Sequence, residues 1–296
     1  MQKIVPHLWF DNNAHEAVVF YTGLFNSSKI GRIDTIEGTP SGDSELISFE
    51  LEGQEFMAIS AGPYFKFNPS ISFMVLCDTI EEVNSKWKAL SEDGIVLMPL
   101  AEYPFSRWYG WIQDRYGLSW QLMLTEGEPI RQKIKVSFLF SKDSNGKAEE
   151  ALKYYVDVFR EGEITAMVPY EKGEAGATNA KIKYAAFKLF GMDFVAMDHG
   201  FDADFGFNEA FSLIVNCRDQ AEIDYFWKKL SAVPEAEQCG WVKDKFGVSW
   251  QIVPENMSCL MFDGTKDEIT RATAAMLKMK KLDIELLKKA KSGLII

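Results

Sequence analysis

Apolar residues at spacings of three and four mark one helix early in the chain. Ala14, Ala17, Tyr21 and Phe25 form a single stripe, and Ala148, Ala151, Tyr155 and Phe159 repeat it. Each stripe follows a strand-like segment, KIVPHLWF (Lys3 to Phe10) and KIKVSFLF (Lys133 to Phe140). Three short strands are predicted after each helix: Lys29 to Ile36, Glu45 to Leu51 and Glu55 to Ala61, then Glu163 to Pro169, Ala180 to Phe190 and Asp193 to Asp198. A further strand ends at Cys77 or Cys217, and a helix carrying Trp87 or Trp227 follows. The closing segments, GWIQDRYGLSWQL (Gly110 to Leu122) and GWVKDKFGVSWQI (Gly240 to Ile252), read as β-hairpins turning at Gly117 and Gly247, where glycine supplies a positive φ. Alternation along the outgoing strand puts Trp120 and Gln121 on opposite faces, Trp under a helix and Gln on the other side.

Matches in this order describe a tandem duplication. The pattern predicts two homologous domains, residues 1–125 and 133–254, joined by a linker at 126–132 (EGEPIRQ). Each half reads as strand, helix, three strands, twice over, although the second has lost ten residues around IVLMPLAEYP. Residues 255–296 form a helical tail. Thr265 opens a capping box with Glu268, Asp283 caps a second helix, and Ile269, Ala272, Met276 and Met279 make an apolar stripe that predicts docking on the body, with a partner-binding helix as the alternative.

Composition narrows the classes. The 296 residues are 47% hydrophobic and carry a net charge of −11, so no basic footprint for nucleic acid is expected. No apolar run reaches membrane-spanning length, and MQKIVPHLWF enters a strand pattern at once, so no signal peptide is expected. Four Cys without paired spacing suit a cytoplasmic setting.

The paired βαβββ pattern, the first strand ending LWF, FNEAFSLIVNC and CGWVKDKFGVSWQIVP together resemble the PhnB-like branch of the vicinal oxygen chelate (glyoxalase/bleomycin-resistance/dihydroxybiphenyl dioxygenase) superfamily. The tail AMLKMKKLDI is similar to tails in that branch. The resemblance implies an α+β fold of paired βαβββ modules forming cupped mixed sheets around a pocket. It also implies pairing of the two domains within the chain about an approximate two-fold axis, with a homo-oligomer left open. Superfamily metalloenzymes hold a divalent metal in the cup by His or Glu, and some branch members carry a demethylubiquinone methyltransferase label.

Residue by residue, the metal set thins out. His7 stands at a ligand position, but Ser70 offers no ligand on the next strand, and the last position is Gln121 rather than Glu. The second half reads Ser137, Ala210 and Gln251. An amide is a far weaker ligand than imidazole or carboxylate. No tightly bound metal is therefore the leading expectation, with a divalent metal kept open, and the cup is expected to bind an unidentified small molecule. Its candidate residues are His7, Trp9, Trp111, Gln121, Phe138, Trp241 and Gln251, with His7 facing Gln121. Near neutral pH, His7 is expected to titrate. The alternative is a divalent-metal lyase, isomerase or dioxygenase built around His7 and Gln121. Asp198, His199, Asp202 and Asp204 read as a solvated acidic loop, and Cys239 as a buried thiol lacking an activating base. No glycine-rich strand-to-helix turn supports methyl transfer from S-adenosylmethionine.

Overall fold

The structure is a computed structural model that describes residues 2–125, 127 and 129–294. Of the expected linker, Glu126 and Glu128 lie outside the described residues. The first module runs β1 (Ile4–Phe10), α1 (Ala14–Leu24), β2 (Lys29–Thr39), β3 (Gly42–Leu51) and β4 (Gln54–Ser60). The second runs β5 (Ile71–Cys77), α2 (Ile80–Ser91), β6 (Ile95–Tyr103), β7 (Ser106–Gln113) and β8 (Ser119–Leu124). The third comprises β9 (Ile134–Phe140), α3 (Ala148–Phe159), β10 (Gly162–Pro169), β11 (Ile182–Leu189) and β12 (Met192–Asp198). The fourth is shorter, with β13 (Phe211–Cys217), α4 (Gln220–Leu230), β14 (Trp241–Lys243) and β15 (Ser249–Pro254). Here a 3-10 turn at Pro234–Ala236 stands where the second module has β6, because the missing ten residues leave too little chain for a strand. The fourth module is thus βαββ, not the expected βαβββ.

The sheets do not follow the two halves of the sequence. One has the order β14-β15-β13-β1-β4-β3-β2, and the other β10-β11-β12-β9-β5-β8-β7-β6. Each therefore joins one module from each half, through the antiparallel pairs β1–β13 and β5–β9. The compact units divide the same way. One contains Met1–Thr22, Ser28–Phe65 and Asn208–Ile296, the other Gly23–Ser27 and Lys66–Phe207. The expected domains 1–125 and 133–254 are repeats of sequence, and each contributes to both units. Two helix-bearing modules meeting edge to edge give one wide sheet, with helices on one face and a cup on the other.

In the first unit the tail closes on the cup face. Helices α5 (Met257–Phe262), α6 (Lys266–Met276) and α7 (Ile284–Lys291) follow β15. The Thr265–Glu268 capping box and the Asp283 cap form as the sequence predicts. Met261, Ala272, Met276, Met279, Leu282 and Leu287 share one buried cluster with Val5, Ile214 and Val253 of the sheet. Val5 lies two residues before His7 on β1, so alternation puts both on the same face. The tail also takes over the sheet edge. Cys239 and Gly240 donate their main-chain N–H to the carbonyls of Met279 and Lys280 at 2.8 Å each, covering an edge that in the other unit is paired with β6.

Candidate functional site

The repeated hairpin is held by one carboxylate in each copy. Asp114 Oδ1 accepts the main-chain N–H of Tyr116 and Leu118 at 2.9 and 3.0 Å, while its Oδ2 accepts Trp120 Nε1 at 2.8 Å. Asp244 does the same for Phe246, Val248 and Trp250 at 2.8, 3.1 and 2.8 Å. Gly117 and Gly247 complete the turns at φ of 85° and 94°. Both Trp rings are fully buried on the helix side, which turns Gln121 and Gln251 to the opposite face as the alternation predicts.

In the first unit, strand register brings His7 opposite Ser212, Ser212 opposite Ser249, and Ile214 opposite Gln251. Gln251 Nε2 donates to Ser212 Oγ at 2.9 Å, and Ser212 Oγ lies 3.4 Å from His7 Nδ1. The His7 ring meets Trp241 edge-on at 5.5 Å between centroids, and Trp241 meets Trp9 at 6.1 Å. Trp9 is fixed in turn by Phe65 at 5.2 Å and by a 2.9 Å bond from its Nε1 to the Gly62 carbonyl. His7 is only 2% exposed, and burial drives its pKa from 6.5 down to about 3, so the imidazole is neutral through the physiological range. The expectation of a His7 titrating near neutrality is thereby corrected.

The second unit carries the homologous array in another state. Gln121 Nε2 donates to Ser72 Oγ at 2.8 Å and to Ser137 Oγ at 3.3 Å, and its Oε1 accepts Tyr109 Oη at 2.8 Å. Trp111 Nε1 donates to Ser119 Oγ at 2.7 Å. Burial raises the Tyr109 phenol above its usual range, so it stays a donor. Every polar atom of the Gln121 amide is engaged inside the protein.

Several expected pairings change. His7 and Gln121 stand on different sheets, and the partner of His7 is Gln251, from the other half of the sequence. The intervening strand contributes Ser212 and Ser72 to the arrays. Ser70 and Ala210 precede the strands, two residues too early. Phe138 belongs to the core: it is 1% exposed and packs against Tyr155 of α3, Phe187 and Phe194. Asp198 is no solvated loop residue. It is buried and accepts four main-chain N–H groups, from Gly146, Ala148, Lys181 and Ile182. His15 is exposed on α1, and burial raises the Cys239 thiol, which suits no nucleophile.

The metal implied by the fold meets a poor donor set. Around His7 stand a serine and an amide with no carboxylate, and among the described residues no three His, Cys, Asp or Glu side chains gather to hold a metal ion. The residues present do not fit a tightly bound divalent metal. A cavity of about 260 Å³ opens on the same sheet, with Val5, Met57 and Ile214 in its lining and Glu50, Glu55, Glu255 and Lys29 also bordering it. Met57 is the register partner of His7 and Ile214 that of Gln251, but His7, Ser212, Gln251, Trp9 and Trp241 themselves do not line this cavity. No helix among the described residues is long and apolar enough to cross a membrane.

Comparisons with known proteins follow this geometry. A solved PhnB protein from Bacillus cereus is 42% identical over 42% of this chain and 100% of its own, with a TM-score of 0.40. Protein PA1353 from Pseudomonas aeruginosa is 25% identical over 42% of this chain and 98% of its own, with a TM-score of 0.37. Glyoxalase I from Zea mays, only 10% identical, covers 86% of this chain and 94% of its own at a TM-score of 0.55, which shows the shared fold. No curated protein matches the chain. The family model described as 3-demethylubiquinone-9 3-methyltransferase matches twice, over residues 2–123 and 132–253. Both repeats fall within that PhnB-like family, and this chain belongs to it as a tandem duplication with the glyoxalase fold.

Proposed function

We propose that this protein binds a small molecule in the cup of its seven-stranded sheet, by hydrogen bonds and aromatic contacts and without a tightly bound metal. The observation that carries the reading is the convergence of His7, Ser212 and Gln251 in one buried array, walled by Trp9 and Trp241. A few convergent polar groups in an apolar, aromatic surround are what orient a small ligand. Lewis-acid chemistry of the superfamily kind needs a stronger donor set than one imidazole and one amide. The family's description names a methyltransferase. Both sheets here are mixed rather than doubly wound and parallel, and the residues support binding over methyl transfer. Four free thiols support a cytoplasmic setting.

The test is a thermal-shift ligand screen on the wild type and His7→Ala, each with and without chelator, alongside metal analysis after dialysis. The reading expects hits that vanish in His7→Ala and survive chelation. Stoichiometric Zn, Fe, Mn or Ni in the dialysed protein, or hits abolished by chelator, would overturn it.

A further inference from the structure

One side chain stands differently in the two units. Trp111 and Trp241 are counterparts, each the register partner of its glutamine, Gln121 or Gln251. Ser119 and Ser249 are counterparts two residues before those glutamines. Trp111 Nε1 donates to Ser119 Oγ at 2.7 Å. Trp241 does not reach its serine. Ser249 Oγ is buried with no hydrogen-bond partner among the described residues, and Trp241 Nε1 makes no hydrogen bond among them either. The indole packs edge-on against His7 and Trp9 instead. In the second unit those two ring positions are Ser137 and Leu139, so Trp111 finds no ring there.

Two weak attractions therefore compete for Trp241. Edge-on contacts with two rings are comparable in strength with one neutral hydrogen bond. A buried hydroxyl left without a partner counts against the position over His7. The two positions, over His7 or withdrawn with Nε1 on Ser249 Oγ, thus lie close in free energy. Access depends on which is taken. His7 is 2% exposed, Ser212 0%, Ser249 1% and Gln251 8%, so a ligand reaches none of their polar groups while the rings stay packed. Trp9 is pinned by the Gly62 carbonyl and Phe65, whereas the half-buried Trp241 side chain is held by ring contacts alone.

We propose that Trp241 gates the His7–Ser212–Gln251 array, swinging between the closed position over His7 and an open one in which Ser249 Oγ receives its indole N–H. The second unit shows the open arrangement in the Trp111–Ser119 pair. Ser249 is the latch, unused while the gate is closed. The proposal rests on the binding reading above and adds how a ligand enters a site whose polar groups are all buried. Such a ligand selects the open state, and the closed population lowers its apparent affinity in proportion.

Carbethoxylation of His7 by diethyl pyrocarbonate, which attacks neutral imidazole, reads the gate without any ligand. The full chain is treated near neutral pH and the His7 peptide followed by mass spectrometry. Trp241→Ala should speed the reaction about tenfold or more. Ser249→Ala removes the latch and should slow it about tenfold against wild type. Added to Trp241→Ala, the serine substitution should change nothing, since the two act through one contact. A wild-type rate in Ser249→Ala, or equal slowing with and without Trp241, would overturn the gate. Should Trp241→Ala not fold, fluorine NMR of 5-fluorotryptophan protein decides, with Trp241 assigned by Trp241→Phe. Its resonance should show microsecond-to-millisecond exchange that Ser249→Ala abolishes, and exchange that is absent or unaltered sinks the proposal. If screening hits depend on His7 while its reaction rate ignores Ser249, the gate falls and the binding reading stands. If the rates behave as expected and no compound binds, the gate stands and the binding reading falls.

Discussion

Gln121 and Gln251 occupy equivalent places in two equivalent hairpins, yet one is locked and the other is half free. Around Gln121, tyrosine and two serines consume both ends of the amide. Around Gln251, a single serine holds one end, and a neutral histidine stands where the other cup has Ser137. The carboxylate bracket behind each hairpin is the same in both. The duplication thus kept the scaffold in both copies and let the polar floor diverge. A saturated floor is structural; an unsaturated one is available to a ligand.

The comparison can be broken at several depths. Asp114→Ala and Asp244→Ala each strand three buried donors, one of them an indole, and should each cost about 3 kcal/mol or more by chemical denaturation. Unequal losses would mean that the two scaffolds are not equivalent. Next comes Leu282→Ala in the tail, a fully buried position that should cost about 3 kcal/mol through the cavity it opens. A cost under 1 kcal/mol would show the tail to be loosely docked.

Acidification separates the cups by charge. His7 has a folded pKa of about 3 against 6.5 when unfolded. Above pH 6.5 both states are neutral and nothing is gained or lost. Between pH 6.5 and 3 only the unfolded state takes up this proton, so stability falls with falling pH, by about 2 kcal/mol at pH 5. That part of the slope should disappear in His7→Ala, and an unchanged slope would mean that the imidazole is solvated. The smallest contrast lies in the amides. Gln121→Ala strands a buried tyrosine hydroxyl and should cost about 2 kcal/mol, whereas Gln251→Ala should cost about 1 kcal/mol. Equal costs would erase the distinction drawn between the floors.

Much of this was legible in the residues. The stripes at Ala14–Phe25 and Ala148–Phe159, the Gly-turn hairpins and the Thr265 capping box are local signals, and each forms where its pattern lies. Sheet partners are another matter. Alternation tells which face of β1 carries His7, but not whether β5 or β13 lies alongside, since both offer an apolar edge. The exchange of modules, and with it the pairing of His7 with Gln251, is therefore a tertiary fact. Ser212 was missed for a related reason: moving two residues along a strand keeps the face and changes the row. The neutrality of His7 lies outside the periodicity because burial of a single ring depends on tertiary neighbours such as Trp241 packing on it.

The exchanged pairing also bears on how the chain assembles as it is made. The eight-stranded unit is drawn almost wholly from the continuous stretch Lys66–Phe207, so its neighbours emerge from the ribosome in succession. The seven-stranded unit has no such luck of order. Ser212 meets His7 across 205 residues, and the tail that packs on the same sheet follows later still in the chain. Contacts of such long sequence separation form slowly. Until they form, the edge of β1 that pairs with β13 is open, and an open strand edge is a template for wrong pairing.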